Sequence, residues 1–269
     1  MKTRMEPGSD TYLRCPGCRG DLTWRRKVLW CEPCGRHFPV RGGIPELLPH
    51  DAPELRKRIA RLDRELLDHR VFLAMLSVLT MGSVPILRKR FVNRLGIQQG
   101  ERVLDHCTGP GGNLPHLAEA IGSSGTLAAM DLSRLMLEQA SRLARRRQFR
   151  VDCHQADAFH LPYADGCFDT VVHTGAINQF GDRQRQAMSE MIRVTKPGGT
   201  IAIVDEGVAP TRRRCWWARL LIWKNRLFAS RPPLDLLPPE AKPSVEWILR
   251  GIFYQLTFRR PGESVTEPI

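Results

Sequence analysis

The chain has 269 residues, 42% hydrophobic and 26% charged, ordinary values for a globular protein with a sizeable core, with no repeats to suggest a solenoid. Its charge is less ordinary: 41 Lys and Arg against 28 Asp and Glu leave +13 at neutral pH, which points to nucleic acid, an anionic membrane surface or acidic small molecules as partners. Met1–Asp10 is polar and carries Glu, Pro and Gly where a secretory leader needs an apolar run, so the expected location is the cytoplasm or the inner face of the membrane.

Taken in chain order, the first feature is a pair of knuckles. Cys15-Pro-Gly-Cys18 and Cys31-Glu-Pro-Cys34 are twelve residues apart, and two such pairs offer four thiolates to one tetrahedral Zn²⁺. Leu22, Trp24, Val28 and Leu29 between them have the composition of a short hairpin. With Cys15, Cys18, Cys31 and Cys34 all committed, the metal is expected to be structural; redox work by either pair is the alternative. The wider pattern, Leu13-Arg-Cys-Pro-Gly-Cys-Arg-Gly-Asp-Leu22 and later Phe38-Pro-Val-Arg-Gly-Gly-Ile-Pro-Glu-Leu-Leu48, resembles the zinc-ribbon family of small activator subunits of tRNA, rRNA and protein methyltransferases. The resemblance covers about residues 11–50 and implies an in-chain helper for a catalytic domain.

Residues 51–100 read as a helical cover. Ile59, Leu62, Leu66 and Leu67 recur at helical spacing within Glu54–Arg70, the pattern of an amphipathic helix. Val71–Met81 is apolar but too short to span a bilayer; a buried helix and an apolar lid over a lipid-like substrate are both open. Pro85–Leu95 reads as a basic helix.

Arg102-Val-Leu-Asp-His-Cys-Thr-Gly-Pro-Gly-Gly-Asn113 reads as a buried strand, a glycine-rich turn and the start of a helix over Leu114–Ile121. Gly109, Gly111 and Gly112 allow a ligand to approach the backbone, and free helix N–H groups face it. A dinucleotide fingerprint starting at Gly109 needs glycine at position 114, where Leu114 stands, so NAD is disfavoured. Asp105 at the strand tip suits a cationic ligand end instead.

Further on, Thr126–Asp131 is a second strand ending in an acid, with Ser133 capping the helix that follows. Arg150–Gln155 is a third strand and delivers Asp157-Ala158. Leu161-Pro leads through Phe168-Asp169 into a fourth strand ending at His173, and Lys196-Pro-Gly-Gly199 turns into a fifth ending at Asp205. This alternation predicts a doubly wound parallel α/β sheet.

The series resembles class I S-adenosylmethionine-dependent methyltransferases, in the branch containing the ubiquinone and menaquinone biosynthesis enzymes, over roughly 85–206. Cys107 departs from the pattern by standing where its first glycine usually sits. The resemblance implies a Rossmann-like methyltransferase sheet with a small N-terminal zinc ribbon, and S-adenosylmethionine as cofactor. It also implies that Asp105, Cys107, Gly109 and Gly111 hold the methionine end, Asp131 and Leu132 the ribose and adenine, Asp157 and Ala158 the adenine, and His173 with Thr174 the site floor. The acceptor is then expected beyond the fourth and fifth strands, near His173, Asn178, Gln179 and Asp205 or Glu206. His173 is the candidate base, needed only if the acceptor has a proton to lose; His106 and His116 are weaker candidates. No Asn-Pro-Pro-aromatic sequence follows the fourth strand, which lowers the case for exocyclic-amine methylation.

The last part of the chain carries a basic, aromatic insertion over 211–230, in which Trp216, Leu220 and Trp223 share one helical face flanked by bases. Helices that rest in a membrane interface have this pattern, as does an ordinary covering helix. Val245–Arg260 alternates like closing antiparallel strands.

The expected organisation is thus a zinc ribbon over 1–50, a helical cover over 51–100 and the methyltransferase domain over 101–269. Three functions compete: methylation of a small, apolar quinone-like or lipid acceptor, with peripheral membrane contact through 211–230; methylation of rRNA or tRNA, with ribbon and basic helix as the clamp; and a non-catalytic scaffold.

Overall fold

The computed structural model describes residues 12–26, 28–49, 53–64 and 84–262. The apolar run 71–81 and the later part of the helix expected to 70 lie outside the described residues. The ribbon is four short antiparallel strands, β1 (Leu22–Arg25), β2 (Val28–Cys31), β3 (His37–Arg41) and β4 (Ile44–Leu47). Helical residues 53–64, here α1, and α2 (Val84–Arg94) follow.

The larger part alternates β5 (Arg102–His106), α3 (Leu114–Ile121), β6 (Thr126–Asp131), α4 (Arg134–Arg147), β7 (Asp152–Ala156), β8 (Phe168–Thr174), α5 (Gln184–Val194) and β9 (Thr195–Glu206). After α6 (Trp216–Lys224), the strands β10 (Ser244–Ile248) and β11 (Phe253–Arg259) close the sheet in the antiparallel sense. The sheet runs β1-β2-β3-β4-β7-β6-β5-β8-β9-β11-β10. Strand order reverses between β5 and β8, and in such sheets ligands bind beyond the carboxyl ends of the strands at that point.

Two buried layers flank the sheet. On one side α2, α3, α4 and α6 cover Val103, Ala129 and Val172; on the other α5 and the segment at Tyr12–Leu13 cover Leu104, Met130 and Val171. β5, β6 and β8 are apolar on both faces because helices or loops cover both. Ser133 opens α4 as expected, its Oγ accepting from the Met136 N–H at 3.3 Å. Less expected is the ribbon's position. β4 pairs in parallel with β7, through Glu46 beside Gln155 and Leu47 beside Ala156, while Tyr12 is buried against Phe168 and Tyr163 and donates to Asp152 at 2.9 Å. The ribbon therefore extends the edge of the parallel sheet at β7.

Candidate active site

The glycine turn after β5 is built from left-handed backbone. Gly109 has φ +55° and Gly111 +86°. At Gly111 a Cβ would lie 2.8 Å from Leu114 Cδ1 and 3.1 Å from Ala140 Cα, so only glycine lets the turn lie this close to α4. Cys107 is also left-handed, with φ +57°, where a side chain costs about 1–2 kcal/mol. The motif's glycine preference is thus kept in the backbone although the residue differs.

Asp105 is buried at the tip of β5. Thr108 Oγ1 donates to its Oδ2 at 2.6 Å, while its Oδ1 has no partner. Burial raises its pKa to about 6, against the Thr108 hydrogen bond and the Arg88 charge. Asn113 is a crossing point: its Oδ1 accepts from Arg88 Nη1 at 2.7 Å and its Nδ2 donates to Thr174 Oγ1 at 2.9 Å. This ties α2 to the end of β8 across the loop.

Asp131 accepts from two backbone amides, Gly109 N at Oδ2 and Ser133 N at Oδ1, each at 2.9 Å. Burial raises it also to about 6, partly offset by those donors. Asp157 faces Arg58 of α1, with Nη1 to Oδ2 at 3.1 Å and Nη2 to Oδ1 at 3.2 Å. The Arg58 and Arg183 guanidinium groups both lie over the Phe159 ring. Ser133 Oγ meets Asp63 at 2.5 Å, so α1 is fastened at two points to the rim of the turn.

A cavity of about 740 Å³ opens here, within the usual size of small-molecule sites. Of the residues expected at the site, Cys107, Gly109, Asp131, Leu132, Ala158, Thr174, Gln179 and Glu206 line it, whereas Asn178 and Asp205 do not. Asp105, Gly111 and Asp157 stand behind that wall. His173 is in the core: its Nδ1 lies 2.7 Å from Nδ1 of His106, and burial holds both imidazoles well toward the neutral form. It is off the cavity wall, so the expectation of a His173 base is not carried forward. Cys107 completes a cluster with these rings, but two nitrogens 2.7 Å apart are closer than ligands on one tetrahedral ion, roughly 3.3 Å. They share a hydrogen bond. His116, on α3, is also absent from the wall.

Glu206 lines the far side of the cavity, and its Oε2 is buried without a partner. Beside it Asp205 is pushed well up by burial and by the neighbouring Glu206 carboxylate, against N–H donors from Asn178 and Glu206. Apolar walls come from Leu62, Leu87, Phe91, Phe180, Leu227 and Phe253. Arg58 and Arg88 carry no signal in the sequence, because their partners Asp157 and Asn113 are 99 and 25 residues away.

In the ribbon the sulfur atoms of Cys15, Cys18, Cys31 and Cys34 lie within 4.8 Å of one another, with Cys15–Cys34 at 3.7 Å and Cys18–Cys31 at 3.4 Å. Four sulfurs on one Zn²⁺ sit roughly 3.8 Å apart, so this donor set fits the ion. The Arg36 N–H brings the Cys34 thiol down to about 7.

The turn, the acid-tipped β6 and the sheet order agree with the comparisons. The family model for a methyltransferase domain matches residues 103–199, and that for Trm112p-like proteins matches 12–43. Residues 103–199 are thus similar to a methyltransferase domain. Among relatives, the demethylmenaquinone methyltransferase of Lactobacillus johnsonii is 32% identical over 131 residues, 48% of this chain and 53% of that one. The ubiquinone/menaquinone biosynthesis C-methyltransferase UbiE of Bdellovibrio bacteriovorus is 34% identical over 131 residues, 49% and 55% of the two chains. The chain spans about half the length of these curated relatives. A Methanococcus maripaludis protein assigned as an S-adenosyl-L-methionine-dependent methyltransferase superposes with a TM-score of 0.53 at 24% identity, over 72% of this chain and 92% of that one, a likeness of fold. This is the Rossmann-like fold of S-adenosylmethionine-dependent methyltransferases, joined to a Trm112p-like ribbon with four cysteines placed to bind a metal.

Proposed function

We propose that this chain transfers a methyl group from S-adenosylmethionine to a small apolar acceptor of the quinone or lipid kind. The observation that carries the reading is the cavity: one end is the glycine turn with Asp131 and Ala158, the other a predominantly apolar chamber containing one carboxylate, Glu206. The fit to the cofactor rests on the unpartnered Oδ1 of Asp105 and on the bare backbone at Gly109, where no atom within 4 Å opposes a Cβ position. Bound there, S-adenosylmethionine supplies a methyl carbon activated by a sulfonium.

The chain's own residues do the rest. The turn at Gly109 takes the methionine end, with Asp105 behind it as counter-charge; Asp131 and Leu132 face the ribose and Ala158 the adenine, with Asp157 behind Ala158. Thr174, fixed through Asn113 and Arg88, sets the floor. Phe180, Phe253 and Leu227 exclude water from the acceptor, and holding it in line with the methyl carbon supplies much of the acceleration. Glu206, whose Oε2 is unpartnered at the cavity, is the group placed to take the proton of a phenolic acceptor. Relatives that methylate demethylmenaquinone support an acceptor of this class. The leucine and phenylalanine side chains that line the acceptor end suit an apolar molecule better than the phosphate backbone of RNA. The expected location is the cytoplasm, and the expected organisation remains ribbon, cover and catalytic domain.

The test is to incubate the purified chain with methyl-labelled S-adenosylmethionine and, separately, bacterial lipid and quinol extracts or total RNA. Label in the organic phase is expected. Label entering an RNA nucleoside instead would replace this reading.

A further inference from the structure

α6 has two apolar faces. Ala218 is fully buried, and Trp217, Leu221 and Ile222 pack on the core beneath. The opposite stripe faces outward: Trp216 is 76% exposed, Leu220 46% and Trp223 75%. Their spacing of four and three residues puts them on one line along the helix. Arg213 fixes the segment by donating to the carbonyls of Val208 at 3.0 Å, Ala229 at 2.9 Å and Ser230 at 3.0 Å. The indoles are therefore held outward by a packed helix.

Around the stripe the charge has one sign. No acid occurs from Gly207 to Leu234, and Arg212, Arg214, Arg219, Lys224 and Arg226 are exposed with no carboxylate partner among the described residues. Immediately after the helix, Asn225 and Leu227 line the cavity. The surface and the chamber thus share one short segment of chain.

We propose that α6 seats this protein on an anionic lipid bilayer, with Trp216, Leu220 and Trp223 entering the headgroup layer and the surrounding arginines resting on lipid phosphates. Trp and Leu beside bases are the composition of helices that lie in an interface, and nine residues are far too few to cross it. No helix among the described residues is long and apolar enough to span a membrane. The proposal rests on the apolar-acceptor reading for its purpose: a seat at this place brings the cavity wall at Leu227 to the layer where such an acceptor dissolves. A basic patch alone also suits RNA, but here the aromatics align with Leu220 in a continuous apolar stripe, which RNA phosphates do not reward.

The test uses the full zinc-loaded chain, sedimented with vesicles of phosphatidylcholine alone or mixed with phosphatidylglycerol. Binding to the mixed vesicles, with a blue shift of tryptophan emission, is expected. The double substitution Trp216→Ala and Trp223→Ala is expected to weaken it at least tenfold while S-adenosylmethionine affinity, read by calorimetry, stays unchanged. Arg214→Gln with Arg219→Gln should reduce the preference for the anionic lipid. A chain that stays in the supernatant with both vesicles, or a tryptophan variant that binds as the parent does, overturns the proposal. So does a dimer, or a complex with an RNA duplex, that the tryptophan variant dissociates, since the stripe then has another occupant. Failure to methylate any apolar acceptor with vesicle binding intact would remove the function proposed above and leave this surface standing.

Discussion

Arg58 of α1 lies in a two-point ion pair on Asp157, the acid beyond β7, with Asp157 almost wholly buried and Arg58 about two-thirds so. The pair draws the helical cover onto the edge of the expected adenine site. Arg58→Ala is expected to increase amide exchange over 53–64 by about tenfold as α1 comes loose at one of its two fastenings. Asp157→Ala should do the same and also weaken S-adenosylmethionine binding further than Arg58→Ala does. Hydrogen exchange with calorimetry separates the two effects.

Cys107 holds a left-handed backbone that glycine adopts freely. Cys107→Gly and Cys107→Ala both lose the thiol packing, but only the first relieves the strain. The glycine variant is expected to be more stable than the alanine one by about 1 kcal/mol, after allowing for glycine's greater freedom when unfolded. Urea unfolding of the two variants measures the difference.

Burial raises Asp105 and Asp131 to about 6, whereas an unfolded aspartate titrates near ~3.9. Between roughly pH 4 and 6 the folded chain holds more protons than the unfolded one, so stability is expected to fall as pH rises through that window and then level off. Asp105→Asn should remove a large part of this slope in urea titrations. Cofactor affinity should move the opposite way, rising with pH over the same range, because a cationic ligand favours the ionised acid.

Glu206 faces the chamber with an unpartnered oxygen. If it accepts the acceptor's proton, Glu206→Gln lowers kcat by about 10²-fold and leaves S-adenosylmethionine affinity unaltered. Steady-state kinetics with a quinol acceptor are the measurement, and an unchanged kcat removes Glu206 from the chemistry.

The ribbon is expected to carry one zinc per chain, read by elemental analysis. Cys31→Ser should abolish it and lower the melting temperature by several degrees, because Leu29, Phe38 and Leu47 share a core with the large sheet.

Much of this arrangement is written in local patterns. The C-x-x-C spacing marks the four-sulfur cluster, the strand-turn-helix rhythm marks β5 to β9, Ser133 marks the start of α4, and Trp216, Leu220 and Trp223 mark an outward stripe. What escaped is what depends on distant parts meeting. Nothing in Ile44–Leu47 announces a parallel pairing with β7, since register across more than a hundred residues leaves no periodicity in either strand. Arg58 is one base among many until α1 lies over Asp157. His173 looked available because it ends a strand at the expected floor; only the registry of β5 beside β8, which puts His106 opposite it, turns its ring inward to a partner.

The pairing of β4 with β7 also has a consequence for supply. A ribbon carried on the same chain meets its sheet edge at the high effective concentration of a tether, so dilution does not part the two. The number of edges completed then equals the number of ribbons that hold their shape. A shortage of zinc would be felt one molecule at a time, as sheets missing a neighbour for β7, with no pool of free subunits to redistribute.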